Sequence, residues 1–252
     1  MSTLSPQTQA RAMLHTDQAA TNNLLLKAMS ASDYATIQPH LELCGLERNL
    51  VVVPANAPVE HVYFPESGVV SIVANMPGKG QTEVGIFGRE GMSATFLLLG
   101  ATDTPHRAFV QIRGASALRI ETASFVLAVD QSKTLQTLLL KYVQTLLIQT
   151  AQSAATNAHQ PMESRLARWL LMCHDRMAGD EIALTHEFMG MMIAAQRSGV
   201  TLSLHALEGV GMIQSIRGVV IIRDRAKLLA LAGEGYGIPE AQYRKLIRPF
   251  GK

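Results

Sequence analysis

From Thr122 to Asn157 the chain contains neither proline nor glycine. A run of that length reads as one long helix, too long to be enclosed by a small domain. It must either pack along its own neighbouring domain or pair with a second helix. Leu135, Leu139, Val143, Leu146 and Thr150 recur along it at helical spacing, and Leu138, Tyr142 and Leu147 widen the stripe. The pattern leaves both readings open.

The texture on either side of this helix differs. Residues 1–20 are polar and read as a loose segment. "TNNLLLKAMS" and "ASDYATIQPHL" read as two short helices. From Leu50 to Glu121 come short β-rich runs, "LVVVP", "EHVYFP", "GVVSIVANM", "TEVGIFG", "RAFVQIRG" and "SALRIE", punctuated by Pro, Gly and Asn. Regular short strands with turn signals predict a β-sandwich or barrel-like roll. The fold class is therefore α+β, with a roll over 21–121, the long helix and a hinge over 122–160, a second domain over 161–235 and a tail over 236–252. Pro161 marks the second boundary. After it "MESRLARWLLMCHDRM" reads as an amphipathic helix with Leu166, Trp169, Leu170 and Cys173 on one face and Arg165 and Arg168 off it.

Composition excludes several classes. Of 252 residues 48% are apolar, enough for a core. No run reaches the roughly 18 apolar residues of a membrane span, and "MSTLSPQTQARAMLHTDQ" lacks the apolar centre of a signal peptide. Two cysteines, Cys44 and Cys173, fit a reducing, cytoplasmic setting and cannot form a metal cluster alone. The eight histidines never fall as His-x-His, and neither a Gly-x-Ser-x-Gly elbow nor a phosphate-cradling Gly-x-x-x-x-Gly-Lys is present, so an enzyme ranks last. The net charge is −1 over residues 1–160 and +3 over 161–252, a mild asymmetry compatible with a nucleic-acid partner for the second part.

The most informative stretch is "ALTHEFMGMMIAAQRSGVTLSLHALEGVGMIQSIRGVVIIRD". Thr185 is a candidate helix cap. The first helix offers Phe188, Met189, Met192 and Ile193 as an apolar face, and a short turn over Ala194–Gln196 follows. The second helix begins near Arg197. At 100° per residue Val200, Ser203, Leu204 and Leu207 share one side, while Arg197, Ser198, Thr201 and His205 share the other. A hairpin turning at Arg217-Gly218 comes next. Helix, tight turn, helix and hairpin is the order of a winged helix-turn-helix. Glycine in the opening turn, at Gly199, costs about 1 kcal/mol against alanine. It adds no bulk where backbone approaches phosphate or where two helices cross. Arg197 can reach guanine or phosphate, Ser198, Thr201 and His205 can donate, and Arg217 at the wing tip can meet the DNA backbone.

These residues resemble the Crp/Fnr family of bacterial transcription regulators, over about Tyr34 to Arg225. "RLARWLL" is similar to the helix that opens that family's DNA-binding domain. "LTHEFMGMMIAAQRSGVTLSLHALEGVGMI" is similar to its helix-turn-helix. "VYFPESGVVSIV" and "VGIFGREGMSA" are similar to strands of its sensor roll, a double-stranded β-helix-like fold. The resemblance implies a homodimer joined by the long helix, with Leu135, Leu139, Tyr142, Val143, Leu146 and Thr150 in the interface. It also implies two recognition helices about one DNA turn apart on a pseudo-palindrome, and RNA polymerase among the partners.

At the recognition helix, preceded by Gln196, Arg197 matches the family's leading arginine. Ser198 stands where glutamate is frequent and Leu202 where an arginine is, so the target site is expected to differ. In the roll, Ser93-Ala94 replaces the Gly-Glu pair that holds ribose and Arg107-Ala108 replaces the Arg-Ser pair that holds phosphate. That disfavours cyclic AMP and leaves the effector unnamed. The N-terminus lacks the clustered cysteines of an iron–sulfur centre, and His40, His61 and His106 are isolated, so no haem or other cofactor is evident. The alternative to a DNA-binding regulator is a small-molecule-binding module whose helix-turn-helix no longer meets DNA.

Overall fold

The computed structural model describes residues 17–76, 78, 80–111, 115–184 and 186–252, with side chains from 188 onward in the last segment. Residues 1–16 of the segment expected to be loose, and the cap expected at Thr185, lie outside the described residues. Two short helices come first, α1 (Leu24–Ala28) and α2 (Ala31–Ile37). Asn23 caps α1 by accepting from the Leu25 and Leu26 N–H groups, and Ser30 caps α2 by accepting from that of Asp33. Leu25, Leu26 and Ile37 are fully buried, so these helices close one end of the roll.

The roll consists of β1 (Glu42–Leu46), β2 (Val51–Val53), β3 (His61–Ser67), β4 (Val70–Met76), β5 (Gly80–Phe87), β6 (Arg107–Val110) and β7 (Ala115–Glu121). They form two antiparallel sheets, ordered β1-β7-β3 and β2-β6-β4-β5. Period-two alternation directs the side chains. Val62 and Phe64 of β3 point inward with no exposure, whereas His61 and Tyr63 are half-buried on the other face. Phe64 meets Phe125 edge-on, with 6.2 Å between centroids, which seats the following helix on the roll. β1 was not expected from its sequence, "ELCGL".

The expected single helix is two: α3 (Thr122–Gln131) and α4 (Lys133–His159). Between them Ser132 is extended (φ −128°, ψ 111°), and its hydroxyl accepts from the Leu135 N–H at 3.2 Å. A serine that can cap a following turn competes with helix continuation, and Asp33 of α2 holds the same serine and Thr134.

The second domain comprises α5 (Met162–Arg176), β8 (Glu181–Ala183), α6 (His186–Met192), α7 (Arg197–Gly209), β9 (Ile213–Ile216), β10 (Val219–Ile222) and α8 (Arg225–Ala232). Its sheet is ordered β8-β10-β9. A last helix, α9 (Ile238–Leu246), lies in the tail. Expected to be amphipathic, α5 is buried from Leu166 to Arg176. One side meets α7, and the others meet α8, the tail and the roll. Arg168, placed off the apolar face by periodicity, is 5% exposed: its Nε donates to the Gly235 carbonyl at 2.8 Å and its Nη2 to Ser153 Oγ at 3.1 Å.

The two domains share packing. Val69 and Ile86 of the roll belong to the core of the second domain. Phe188 stacks edge-on against Phe109 at 6.0 Å, and Trp169 Nε1 donates to Glu83 at 2.8 Å. Among the described residues no helix is long and apolar enough to cross a membrane, and Cys44 and Cys173 are free thiols.

Candidate nucleic-acid interface

Helix α6 ends at Met192 and the chain turns through Ala194, which takes a left-handed φ of 51°. The turn closes because residue 190 is glycine. A Cβ there would stand 2.8 Å from the Ala195 carbonyl oxygen, and the Ala195 N–H donates to the Gly190 carbonyl at 2.9 Å. The close approach of helix and turn therefore rests on Gly190, which sequence reasoning passed over; its signal was one small residue inside the bulky run "FMGMM". Gly199, expected to spare bulk at phosphate or at a helix crossing, faces the Met162 thioether at the start of α5, 2.8 Å from where its Cβ would be. It makes room for α5 under the recognition helix.

The two faces of α7 separate as the periodicity predicts. Val200, Ser203, Leu204 and Leu207 are buried, and the Ser203 hydroxyl donates to Glu163 of α5 at 3.1 Å. Gln196, Arg197, Ser198 and His205 are exposed, and Leu202 is 72% exposed. Thr201 is half-buried and its hydroxyl donates to the Arg197 carbonyl at 3.1 Å. The Gln196 side chain makes no cap, which leaves the first-turn N–H groups of α7 open to an outside acceptor.

Beside this helix β9 and β10 form the wing. Arg217 (φ 25°) and Gly218 (φ 81°) both take positive φ, as a tight hairpin turn requires, and this places Arg217 at an exposed tip. Glu208 of α7 accepts from the Ser215 N–H at 2.9 Å, which pins wing to helix. Arg223, also exposed and held by Gln214, adds a cation that sequence reasoning did not single out.

Four of the six residues expected in a dimer interface are already covered by the chain itself. Leu135, Leu139, Tyr142 and Val143 are 0, 0, 2 and 7% exposed within the chain itself. The broad leucine stripe covers the roll, whose apolar edge must be buried before any partner arrives. Leu146 and Thr150 are half-buried and line a cavity. The exposed side of α4 carries a different stripe, Leu140, Gln144, Leu147, Ala151, Ala154 and Ala158, alternating four and three residues apart. That is a heptad spacing.

The effector candidates also separate. A cavity of about 310 Å³ lies between the roll and α4, walled mainly by Ile72, Phe87, Phe96, Leu99, Val143 and Leu147. Ala108 lines it, as does His106; Ser93, Ala94 and Arg107 are not among its lining residues. Ser93 is 1% exposed and its hydroxyl accepts from the Tyr63 N–H at 2.8 Å. Ala94 is buried with a left-handed φ of 54°. The Arg107 guanidinium lies over the Phe109 ring at 4.7 Å and donates to Gln81 at 3.2 Å. His40 and His61 line a separate polar cavity with Glu42, Arg119 and Glu121. Among the described residues no three His, Cys, Asp or Glu side chains gather as a metal site.

One buried acid lies where the domains meet. Glu83 of β5 accepts from Trp169 of α5 and from Ser71, with Gln111 and Met192 completing the cluster. Burial pushes its carboxyl up to about 8 from 4.5, against the pull of the Ser71 and Trp169 hydrogen bonds. The native carboxyl keeps a proton that the unfolded chain releases, so stability falls as pH rises from about 4.5 to about 8 and levels off above. Glu83→Gln, neutral at every pH, is expected to flatten that part of a Tm-against-pH curve. A slope identical to that of the parent chain would remove Glu83 from the account.

A roll joined by a long helix to a winged helix-turn-helix, with an arginine-led helix facing outward, defines the class of two-domain winged helix-turn-helix proteins. Residues 164–231 match the Crp-like helix-turn-helix domain. Over about four-fifths of the chain the fold is that of Crp/Fnr regulators. It is similar to a Crp/Fnr transcriptional regulator from Eubacterium rectale (TM-score 0.64, 14% identity, covering 82% of this chain and 97% of that one). FixK2 from Bradyrhizobium japonicum is similar too (TM-score 0.65, 17% identity, 77% and 98% covered), as is a CRP-family regulator from Thermus thermophilus (0.64, 17%, 76% and 97%). No curated protein matches at the sequence level. Residues 164–231 thus match the Crp-like helix-turn-helix domain, and the fold around them is like that of Crp/Fnr regulators.

Proposed function

We propose that this protein is a homodimeric, sequence-specific DNA-binding transcription regulator without catalytic activity. The observation that carries this reading is the polarity of α7. Its underside is sealed into the core while Arg197, Ser198, Leu202 and His205 stand exposed beside the Arg217 wing tip. In the major groove Arg197 would read guanine or anchor to phosphate, Ser198 would donate, and Leu202 would offer apolar contact, for instance to a thymine methyl. The exposed α4 stripe through Leu140, Leu147 and Ala154 supports pairing of two chains, which places two such helices on one duplex.

The cavity under α4 supports regulation by a small molecule of low polarity. Its walls are aliphatic and aromatic, with Thr95, Thr104, His106 and Thr150 as polar groups, and among the described residues no carboxylate or arginine lines it to hold a ribose phosphate. Because Val143, Leu146, Leu147 and Thr150 belong to α4, an occupant touches the helix that carries the pairing stripe. The reading is tested by selecting bound duplexes from a random DNA pool and repeating the binding at increasing salt. Enrichment of a common motif and a steep loss of affinity with salt are expected. A pool that stays random, at low salt as well, contradicts it.

A further inference from the structure

The tail extends past the wing, and it is not idle. The geometry points to residues 238–252 as a strap that fastens the helix-turn-helix domain to the roll and so fixes α7 relative to α4.

The tail touches both bodies at one place. From α9, Tyr243 is 3% exposed and its hydroxyl donates to the Glu90 carbonyl of the roll at 2.6 Å. Glu90 in turn forms an ion pair at 2.7 Å with Arg176 of α5, and the two side chains are 4% and 1% exposed. This pair joins the two domains, and water must be kept from it for it to stay strong. Phe250 supplies the cover: it packs on Tyr243 at 5.1 Å and lies 5.2 Å from the Arg176 guanidinium. The segment beyond Phe250 is held as well. Lys252 N–H donates to Asp175 at 3.1 Å, and Asp175 is also held by Arg225 at 2.7 Å and by Tyr236. A void of about 20 Å³ remains beside Glu90, Arg176, Tyr243 and Phe250, room for about one water. Between the domains the chain itself supplies only the extended residues Gln160 and Pro161 as a link. A link that short leaves orientation to the contacts around it, and the tail supplies some of them without covering the exposed face of α7.

Trp169 is the sole tryptophan, it is buried in the domain interface, and it reports the strap without any DNA. In the full chain carrying Phe250→Ala, acrylamide quenching of Trp169 is expected to rise severalfold, with helix content by circular dichroism unchanged. Tyr243→Phe, which deletes one hydroxyl, is expected to move in the same direction by less and serves if Phe250→Ala does not fold. Folded variants whose Trp169 is quenched no faster than in the parent chain overturn the strap. On DNA selected by the parent chain, Phe250→Ala is expected to bind a two-half-site duplex about tenfold more weakly with half-site affinity unchanged, since a loose linkage lowers effective concentration. Unchanged or tighter two-site binding overturns the positioning role. If neither chain binds DNA, the regulator reading fails and the quenching result alone decides the strap.

Discussion

A chain carrying Leu140→Glu together with Leu147→Glu is expected to fold, to sediment as a monomer, and to lose about 10²- to 10⁴-fold in affinity for a two-half-site duplex. These leucines are 38% and 59% exposed, so their removal takes little from the chain's own core. They stand one heptad apart on the exposed stripe of α4, and four carboxylates facing one another across a pair of helices repel where apolar contact is required. The neighbouring stripe behaves differently. Leu139→Asp puts a charge at a position with 0% exposure and is expected to unfold the roll, at a cost of more than about 3 kcal/mol. Sedimentation and circular dichroism on the two variants separate an interface from a core. A folded dimer carrying both glutamates would move the pairing surface elsewhere.

Arg197→Ala is expected to lose about 1–3 kcal/mol of specific binding, about 5- to 150-fold, and to relax preference at one base pair in each half-site. Arg197→Lys should recover affinity without the preference, because an ammonium cannot make the two parallel bonds of a guanidinium to guanine. Arg217→Ala at the wing tip should instead weaken all sequences alike and lower the salt slope by about one. Titrations of selected and scrambled duplexes at several salt concentrations distinguish the three. Equal specificity in the parent chain and Arg197→Ala would detach base reading from this helix.

The part of the molecule that proved legible in the sequence is the part governed by local periodicity. The buried and exposed sides of α7 follow from rotating 100° per residue, and the wing turn follows from a glycine at 218 next to hairpin-like runs. Runs such as "HVYF", where inward and outward residues alternate, gave the strands. Features set by tertiary competition were not legible. The leucines of α4 supply two faces at once, and nothing local tells which one the roll takes; the wider stripe went inward and the heptad of leucine, glutamine and alanine stayed outside. Ser132 ended a helix only because Asp33, far away in the chain, was placed to hold it. β1 and β8 are short segments whose strand character depends on neighbours, β7 and β10, that their own residues do not announce. The effector candidates separate for a related reason. Ser93 is bonded to the backbone and Arg107 is folded onto a ring, while the open volume is lined by Ala108 and by residues outside the motif. The tail carries too few apolar residues to reveal that Tyr243 and Phe250 are buried between two domains.

Hydroxyl-radical footprinting of the protein on a duplex selected from a random pool tests the central claim most directly. Two protected patches related by a two-fold axis, with centres about 34 Å or one helical turn apart, are expected, both fading in Arg197→Ala. A single unsymmetrical patch, or protection that Arg197→Ala leaves intact, would contradict the account.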